Sequence, residues 1–134
     1  MLEPLGGYIT LAVNLLKNPS LHGEPFNFGP SGNTNHSVLK LVEQMAKNWN
    51  KVRWDDISDS NDDFYESGLL KLNCDKALHF LKWRAVMEFE DTVNMTSEWY
   101  RSFYKNKSGI DALTSKQIDE YSLLAKKRGL DWAQ

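Results

Sequence analysis

Leu70-Lys71-Leu72-Asn73-Cys74-Asp75-Lys76-Ala77-Leu78-His79-Phe80-Leu81-Lys82-Trp83 holds, within one short stretch, the two periodicities that decide the fold class. Leu70-Lys71-Leu72 alternates at period two, as a strand with one buried face does. From Asn73 the pattern changes. Asn is a residue type whose side-chain oxygen satisfies a helix N-terminus, and Ala77, Leu78 and Leu81 then recur at helical spacing. The stretch therefore reads as a strand, a cap and a short helix, the signature of a mixed α/β unit.

Upstream, Leu5, Tyr8, Ile9, Ala12, Leu15 and Leu16 repeat at three and four, which predicts one apolar helical face ending before Asn18-Pro19. Phe26-Asn27-Phe28, stopped by Gly29-Pro30, predicts a short strand. Val38, Leu41, Val42, Met45, Ala46 and Trp49 form the clearest amphipathic helix, over 37–49. Val52-Arg53-Trp54 alternates as a strand would, and Asp55–Glu66 follows as an acidic, aperiodic loop. Downstream, a helix from Glu88 carries Phe89, Thr92, Val93, Thr96, Trp99, Tyr100 and Phe103 on one side until Ser108-Gly109. Thr114-Ser115-Lys116-Gln117 reads as a capping box opening a last helix that Gly129 ends. The sum is an α/β mixed, α+β-like lobe: mainly helices, a few short strands, and no run of βαβ units able to build a parallel sheet.

The chain of 134 residues is of single-domain size, so one domain over 1–134 is expected. With 41% hydrophobic and 12% aromatic residues it carries too much apolar surface for a disordered tail. A formal charge of −2 and no basic cluster argue against nucleic acid as a partner. Cys74 stands alone, which excludes an internal disulfide and suggests a reducing compartment. The first apolar stretch is broken by Glu3, Pro4 and Gly6-Gly7 and lacks a basic flank, so neither a secretory leader nor a membrane span is expected, and the expected location is cytoplasmic. Trp49, Trp83, Trp99 and Tyr100 are expected in the core.

Redox and elimination chemistry is not visible. A dinucleotide cradle needs closely spaced glycines between a strand and a helix, and Gly29-Pro30-Ser31-Gly32 loses one donor to proline and has Asn35 where the third glycine belongs. No tyrosine has a lysine four residues on, the arrangement that would acidify a phenol; Tyr8, Tyr65, Tyr100 and Tyr121 are followed there by Ala12, Leu69, Tyr104 and Ala125. His22, His36 and His79 have no metal-ligand spacing, and no glycine elbow surrounds Cys74 or any serine. The acidic loop has two readings, a solvated face or a carboxylate that accepts from vicinal hydroxyls of a sugar.

Several segments, taken in order, resemble the C-terminal region of the CDP-glucose 4,6-dehydratases, within the extended short-chain dehydrogenase/reductases: 2–8 (LEPLGGY), 26–30 (FNFGP), 70–74 (LKLNC), Asp75-Lys76-Ala77 with Leu81-Lys82-Trp83, Thr92-Val93 with Trp99-Tyr100, Leu113-Thr114, and 117–121 (QIDEY). The resemblance covers nearly the whole chain. It implies a lobe that packs over a dinucleotide-binding domain and closes a sugar-nucleotide site. It also implies that NAD, the redox Tyr–Lys pair and the elimination acid and base belong to that other half, with no catalytic or cofactor residue and no cofactor in this chain. Glu66, seven residues before Asn73, falls where related enzymes place a carboxylate associated with the nucleotide ribose. Tyr65 stands where His is common, Asp63 where His or Arg is common, Asn73 replaces Asp, Lys82 replaces Gly, and Ala85-Val86 replaces a proline-containing turn. Glu66 and Tyr65 are the candidate substrate-binding residues.

The functional expectation is thus the sugar-nucleotide-binding part of an enzyme that converts CDP-glucose to the 4-keto-6-deoxy sugar and water, inactive alone. Its partners would be a nucleotide-sugar substrate, when joined to an NAD-binding half, and a partner domain or a second copy. The alternative is a stand-alone interaction module or a gene remnant without catalysis.

Overall fold

The computed structural model describes residues 1–32, 36–55 and 72–134. Five helices make up most of them: α1 (Leu2–Lys17), α2 (Val38–Asn48), α3 (Asp75–Leu81), α4 (Phe89–Lys105) and α5 (Ile110–Lys127), with short 3-10 turns at Pro19–Leu21, Lys107–Gly109 and Asp131–Ala133. Among the described residues there is no strand. The mixed α/β expectation is corrected at Phe26–Phe28 and Val52–Trp54, both irregular, while Leu70 and Lys71 lie outside the described residues and Leu72 is irregular. The physical reason is that a strand exists only as a member of a ladder, and alternating side chains alone do not supply the neighbour. Phe26 and Phe28 pack instead against the helical core.

That core gathers Leu21, Ala77, Leu81, Trp83, Val86, Tyr121, Ala125 and Leu130, from α3, the segment after it, α5 and the C-terminal turn. Trp83 is fully buried and meets the Phe28 ring edge-on at 5.0 Å. α1 lies against this core with Gly6, Gly7 and Thr10 buried and Leu2, Leu11 and Leu15 half-buried on it. A Cβ on Gly6 would fall on the Tyr121 hydroxyl, and one on Gly7 would fall on the Phe28 ring. Close approach, rather than backbone freedom, is therefore what glycine provides in this helix.

Glu3 ties the same region together. Its carboxylate accepts from the Val86 N–H at 2.9 and 3.0 Å, the Met87 N–H at 2.6 Å and the Tyr121 hydroxyl at 3.3 Å. Burial, and after it the charge of Glu3 and the hydrogen bond to it, push the Tyr121 phenol well above its ordinary range, so Tyr121 stays protonated and donates. Elsewhere α4 packs on both α2 and α5. Trp99 Nε1 donates to Thr114 Oγ1 at 2.9 Å, and Gln117 Nε2 donates to the Met95 carbonyl at 2.9 Å.

Helix ends follow local chemistry. Ser37 caps α2 through Oγ and the Lys40 N–H. Asn73 Oδ1 accepts from the Asp75 N–H at 2.9 Å, so the expected cap residue serves the first turn of α3 while Cys74 holds the cap position. α5 starts at Ile110, so the capping box at Thr114 is corrected: Thr114 Oγ1 donates to the Ile110 carbonyl inside the helix. Gly129 ends α5 at φ +79°, with Gly129 N–H to the Lys126 carbonyl and Leu130 N–H to the Ala125 carbonyl, the two bonds of a Schellman closure. Of the aromatics expected inside, Trp83 is buried, Trp49 and Trp99 are half-buried, and Tyr100 is exposed, stacked only along its own helix face with Tyr104.

Candidate functional site

Both candidate substrate residues, Tyr65 and Glu66, lie outside the described residues, as does Asp63. The described chain resumes at Leu72, and the surface it joins there is well defined. Asn27 Nδ2 donates to the Asn73 carbonyl at 3.2 Å. A Cβ on Gly29 would stand 3.4 Å from Leu72 Cδ1 and 3.5 Å from Cys74 Sγ. Residues 26–29 and 72–74, parts of two of the expected strands, thus run side by side, joined by a side-chain bond and by packing.

The Cys74 thiol receives the Gly29 N–H, yet burial outweighs that bond and the Asp75 charge adds to the burial effect, so its pKa is raised. A thiol held protonated is a poor nucleophile, which fits Cys74 as a packing residue. The Gly29–Gly32 turn does not suit a pyrophosphate. Gly29's amide is directed to sulfur and no helix begins at the turn, α2 starting only at Val38. The described residues thus place no helix N-terminus directly behind that turn. They also contain no group of three His, Cys, Asp or Glu side chains able to hold a metal ion.

Beside the paired segments lies the outer face of α1. At 100° per residue, Leu5, Tyr8, Ile9, Ala12 and Leu16 fall on one stripe, opposite the buried Gly6, Gly7 and Thr10. Of the predicted apolar face, Leu15 packs half-buried on the core and the rest stands outward. Leu5 is 48% exposed, Tyr8 59%, Ile9 45% and Leu16 88%. Tyr8 reaches the Phe28 ring edge-on at 5.7 Å, and Leu72, 55% exposed, lies just beyond Gly29. Stripe and paired segments thus form one apolar surface among the described residues. Sequence reasoning missed it, although the small residues at 6, 7 and 10 were the signal that the opposite side of the helix packs inward.

Two other concavities are shallower and chemically plain. One, of about 390 Å³ between α4 and α5, has Met87, Met95, Leu123 and Leu124 as its apolar floor and Asp91, Glu120 and Lys127 at its rim. The other, of about 320 Å³, is bounded by Asn48, Asn94, Glu98 and Arg101. Neither contains a nucleophile with a base beside it.

Comparison with curated proteins finds similarity to the CDP-glucose 4,6-dehydratase of Salmonella typhimurium, 28% identical over 122 residues. The match covers 90% of this chain and the C-terminal part of that enzyme. The chain spans about a third of the length of the relative it matches. No family model matches the chain, and no solved structure does. Among the described residues, no helix is long and apolar enough to cross a membrane.

Proposed function

We propose that this chain is the substrate-facing lobe of a sugar-nucleotide 4,6-dehydratase of the CDP-glucose type, acting in the cytoplasm and only when joined to a part that binds NAD. The observation that carries the reading is the ordered similarity over 90% of the chain to one end of such an enzyme. The packing supports it: the residues of the family resemblance are tied to one another here, Glu3 to Tyr121, Phe28 to Trp83, and Trp99 to Thr114.

In this reading the lobe binds and orients the substrate. Glu66 accepts hydrogen bonds from ribose hydroxyls, for which a carboxylate is a suitable acceptor, and Tyr65 lies against the nucleotide. Hydride transfer and loss of water take place on the other part, with NAD. The segments at 26–28 and 70–72 are the short strands of a mixed α/β lobe in the joined protein, and 1–134 acts as one unit. An interaction module without catalysis is the second reading, favoured by the exposed apolar face of α1.

Calorimetric titration of the folded chain with CDP, and separately with NAD, tests the proposal. CDP binding without NAD binding is the expected result. NAD binding by the chain alone would overturn the division of labour, and absence of CDP binding would favour the interaction module.

A further inference from the structure

The two concavities beside α4 hold no reaction chemistry, but they are continuous. Asn94 and Met95 line both, so together they form one groove that follows α4 from Asp91 to Arg101, roughly 15 Å at 1.5 Å per residue. Its two ends differ in chemistry. Toward Asp91 the floor is Met87, Met95, Leu123 and Leu124, and Leu123 is 60% exposed. Unbranched methionine side chains adapt to the shape of an apolar guest. Toward Arg101 the lining is polar, with Asn48, Asn94, Glu98 and Arg101.

The polar end is held in place from behind. Gln117, buried in α5, donates from Nε2 to the Met95 carbonyl at 2.9 Å and to Glu98 Oε2 at 3.4 Å. Asn48 Nδ2 donates to the Gln44 carbonyl at 3.3 Å and to Asn94 Oδ1 at 2.6 Å. The Asn94 amide therefore turns its oxygen to Asn48, and its N–H groups have no partner among the described residues. Arg101 uses Nη1 on the Asn48 carbonyl at 3.1 Å, which leaves the rest of its guanidinium fork, and Glu98 keeps Oε1. Donors on Asn94 and Arg101 thus stand beside a carboxylate acceptor. A hydroxyl both donates and accepts, so neighbouring hydroxyls match this set, whereas a phosphate only accepts and would meet the Glu98 charge. Along the whole groove Asp91, Glu98 and Glu120 are set against Arg101 and Lys127, with Lys116 paired to Glu120 at 3.5 Å, so neither sign of charge prevails.

We infer that this groove is a binding site for an uncharged alkyl or aryl glycoside, its sugar ring among Asn94, Glu98 and Arg101 and its apolar group on the methionines and leucines. The inference stands independently of the dehydratase reading, because this ligand carries no nucleotide and the groove rests on described residues of α2, α4 and α5 and on Met87. A wholly apolar guest would strip water from the polar end without replacing its hydrogen bonds. The two halves, of about 390 and 320 Å³, each lie within the range of roughly 300–1,000 Å³ usual for small-molecule sites.

The test titrates the full chain with hexyl β-D-glucopyranoside, below its micelle-forming concentration, and follows backbone and side-chain amides by two-dimensional NMR. Saturable shifts of the Asn94 side-chain amide and of the α4 and α5 amides are expected. Glucose alone and hexanol alone should each bind about tenfold more weakly, since each fills one end only. Glu98→Ala should weaken glucoside binding about tenfold by removing a charged acceptor, and Leu123→Ser about fivefold by removing part of the apolar lining. Ile9→Ser, on the exposed stripe of α1, should leave it unchanged. Should Glu98→Ala not fold, Asn94→Ala, at an exposed position, takes its place with an expected loss of about fivefold. No saturable shifts, affinity unchanged by the groove variants, or affinity lost with Ile9→Ser would overturn the site. Hexanol binding as tightly as the glucoside, or hexyltrimethylammonium displacing it at equal affinity, would overturn the ligand class. Displacement of the glucoside by CDP would also overturn the inference. CDP binding without displacement supports two separate sites, and glucoside binding with no CDP binding supports the groove while counting against the proposed function alone.

Discussion

Gly6→Ala separates the packing account of α1 from simple helix propensity, because the two give opposite signs. In an exposed helix interior the substitution would stabilise by about 1 kcal/mol. At Gly6 the new methyl lands on the Tyr121 hydroxyl, with the ring carbons Cε1 and Cζ at 3.2 Å. To make room Tyr121 must withdraw from Glu3, losing a hydrogen bond to a charged group worth about 1.5–3 kcal/mol, and the crowded core adds an overpacking cost of about 1–3 kcal/mol. The Tyr121–Glu3 contact is long at 3.3 Å, so the lower end of the first range applies. After subtracting the propensity gain, the expected net loss is about 2–3 kcal/mol, a fall in melting temperature of roughly 6–15 °C for a chain of this size. Urea unfolding followed by circular dichroism measures it. Repeating the substitution in a Tyr121→Phe background removes the obstructing oxygen, and there Gly6→Ala should cost at least 1 kcal/mol less, as coupled neighbours do in a mutant cycle. A stabilised Gly6→Ala, or the same loss in both backgrounds, would refute the argument.

Four further outcomes are expected. Lys82 closes α3 at φ +54°, a left-handed conformation that disfavours a side chain, so Lys82→Gly should raise stability by about 0.5–1 kcal/mol in the same urea assay. Tyr121 has a phenol pKa raised on folding, so its contribution is complete below the unfolded value of about 10 and is lost as pH rises beyond it. Alkaline titration should therefore unfold wild type earlier above pH 10 than it unfolds Tyr121→Phe, each relative to its own neutral stability. Thr114→Val should cost about 1–2 kcal/mol, since it leaves the Trp99 indole N–H without its acceptor inside the helix pair. Glu66→Ala, in a chimera that carries this chain in place of the matched third of the Salmonella enzyme, should weaken CDP binding about tenfold, and unchanged affinity in a calorimetric titration would make Glu66 an ordinary solvated carboxylate.

Helices were legible where periodicity and caps agreed. Ser37 stops α2 from starting earlier, Asn18-Pro19 stops α1, and Gly129 closes α5, because in each case one side chain or one backbone conformation settles the local question. What the pattern does not encode is which apolar face meets which neighbour. In α1 the periodicity picks out the bulky apolar face. The chain instead buries the face of Gly6, Gly7 and Thr10, because closeness to Tyr121 and Phe28 requires small residues there. The strand readings at Phe26–Phe28 and Val52–Trp54 failed for a related reason. Period-two alternation states how side chains alternate, while the ladder depends on a partner that no local sequence specifies. Thr114 was misread because the capping-box residues also suit a helix interior when the threonine has a carbonyl four residues back and an indole to receive.

The contacts also separate what the family resemblance says about shape from what it says about substrate. Its segments meet in pairs: LEPLGGY at 2–8 with QIDEY at 117–121 through Glu3, Gly6 and Tyr121; FNFGP at 26–30 with Trp83 through Phe28; and the α4 residues around Trp99 with Thr114. Each pair is a buried or half-buried contact whose loss costs stability whatever ligand the lobe serves. Residues of this kind are retained by folding alone, so they carry the architecture of the lobe. Of the departures, Asp63 and Tyr65 lie outside the described residues, Asn73 and Lys82 are exposed, and Val86 is a core residue whose N–H reaches Glu3. Lys82 accepts a left-handed backbone at a cost to stability that the rest of the framework absorbs. Under the proposed function, a negative charge at Asp63 would by contrast oppose a phosphate-bearing ligand. Placing a cation there, Asp63→Arg, and testing CDP binding in a chimera that carries this chain in place of the matched third of the Salmonella enzyme therefore bears on substrate. Tighter binding by the variant would place the pyrophosphate beside residue 63, and unchanged binding would place it elsewhere on the lobe.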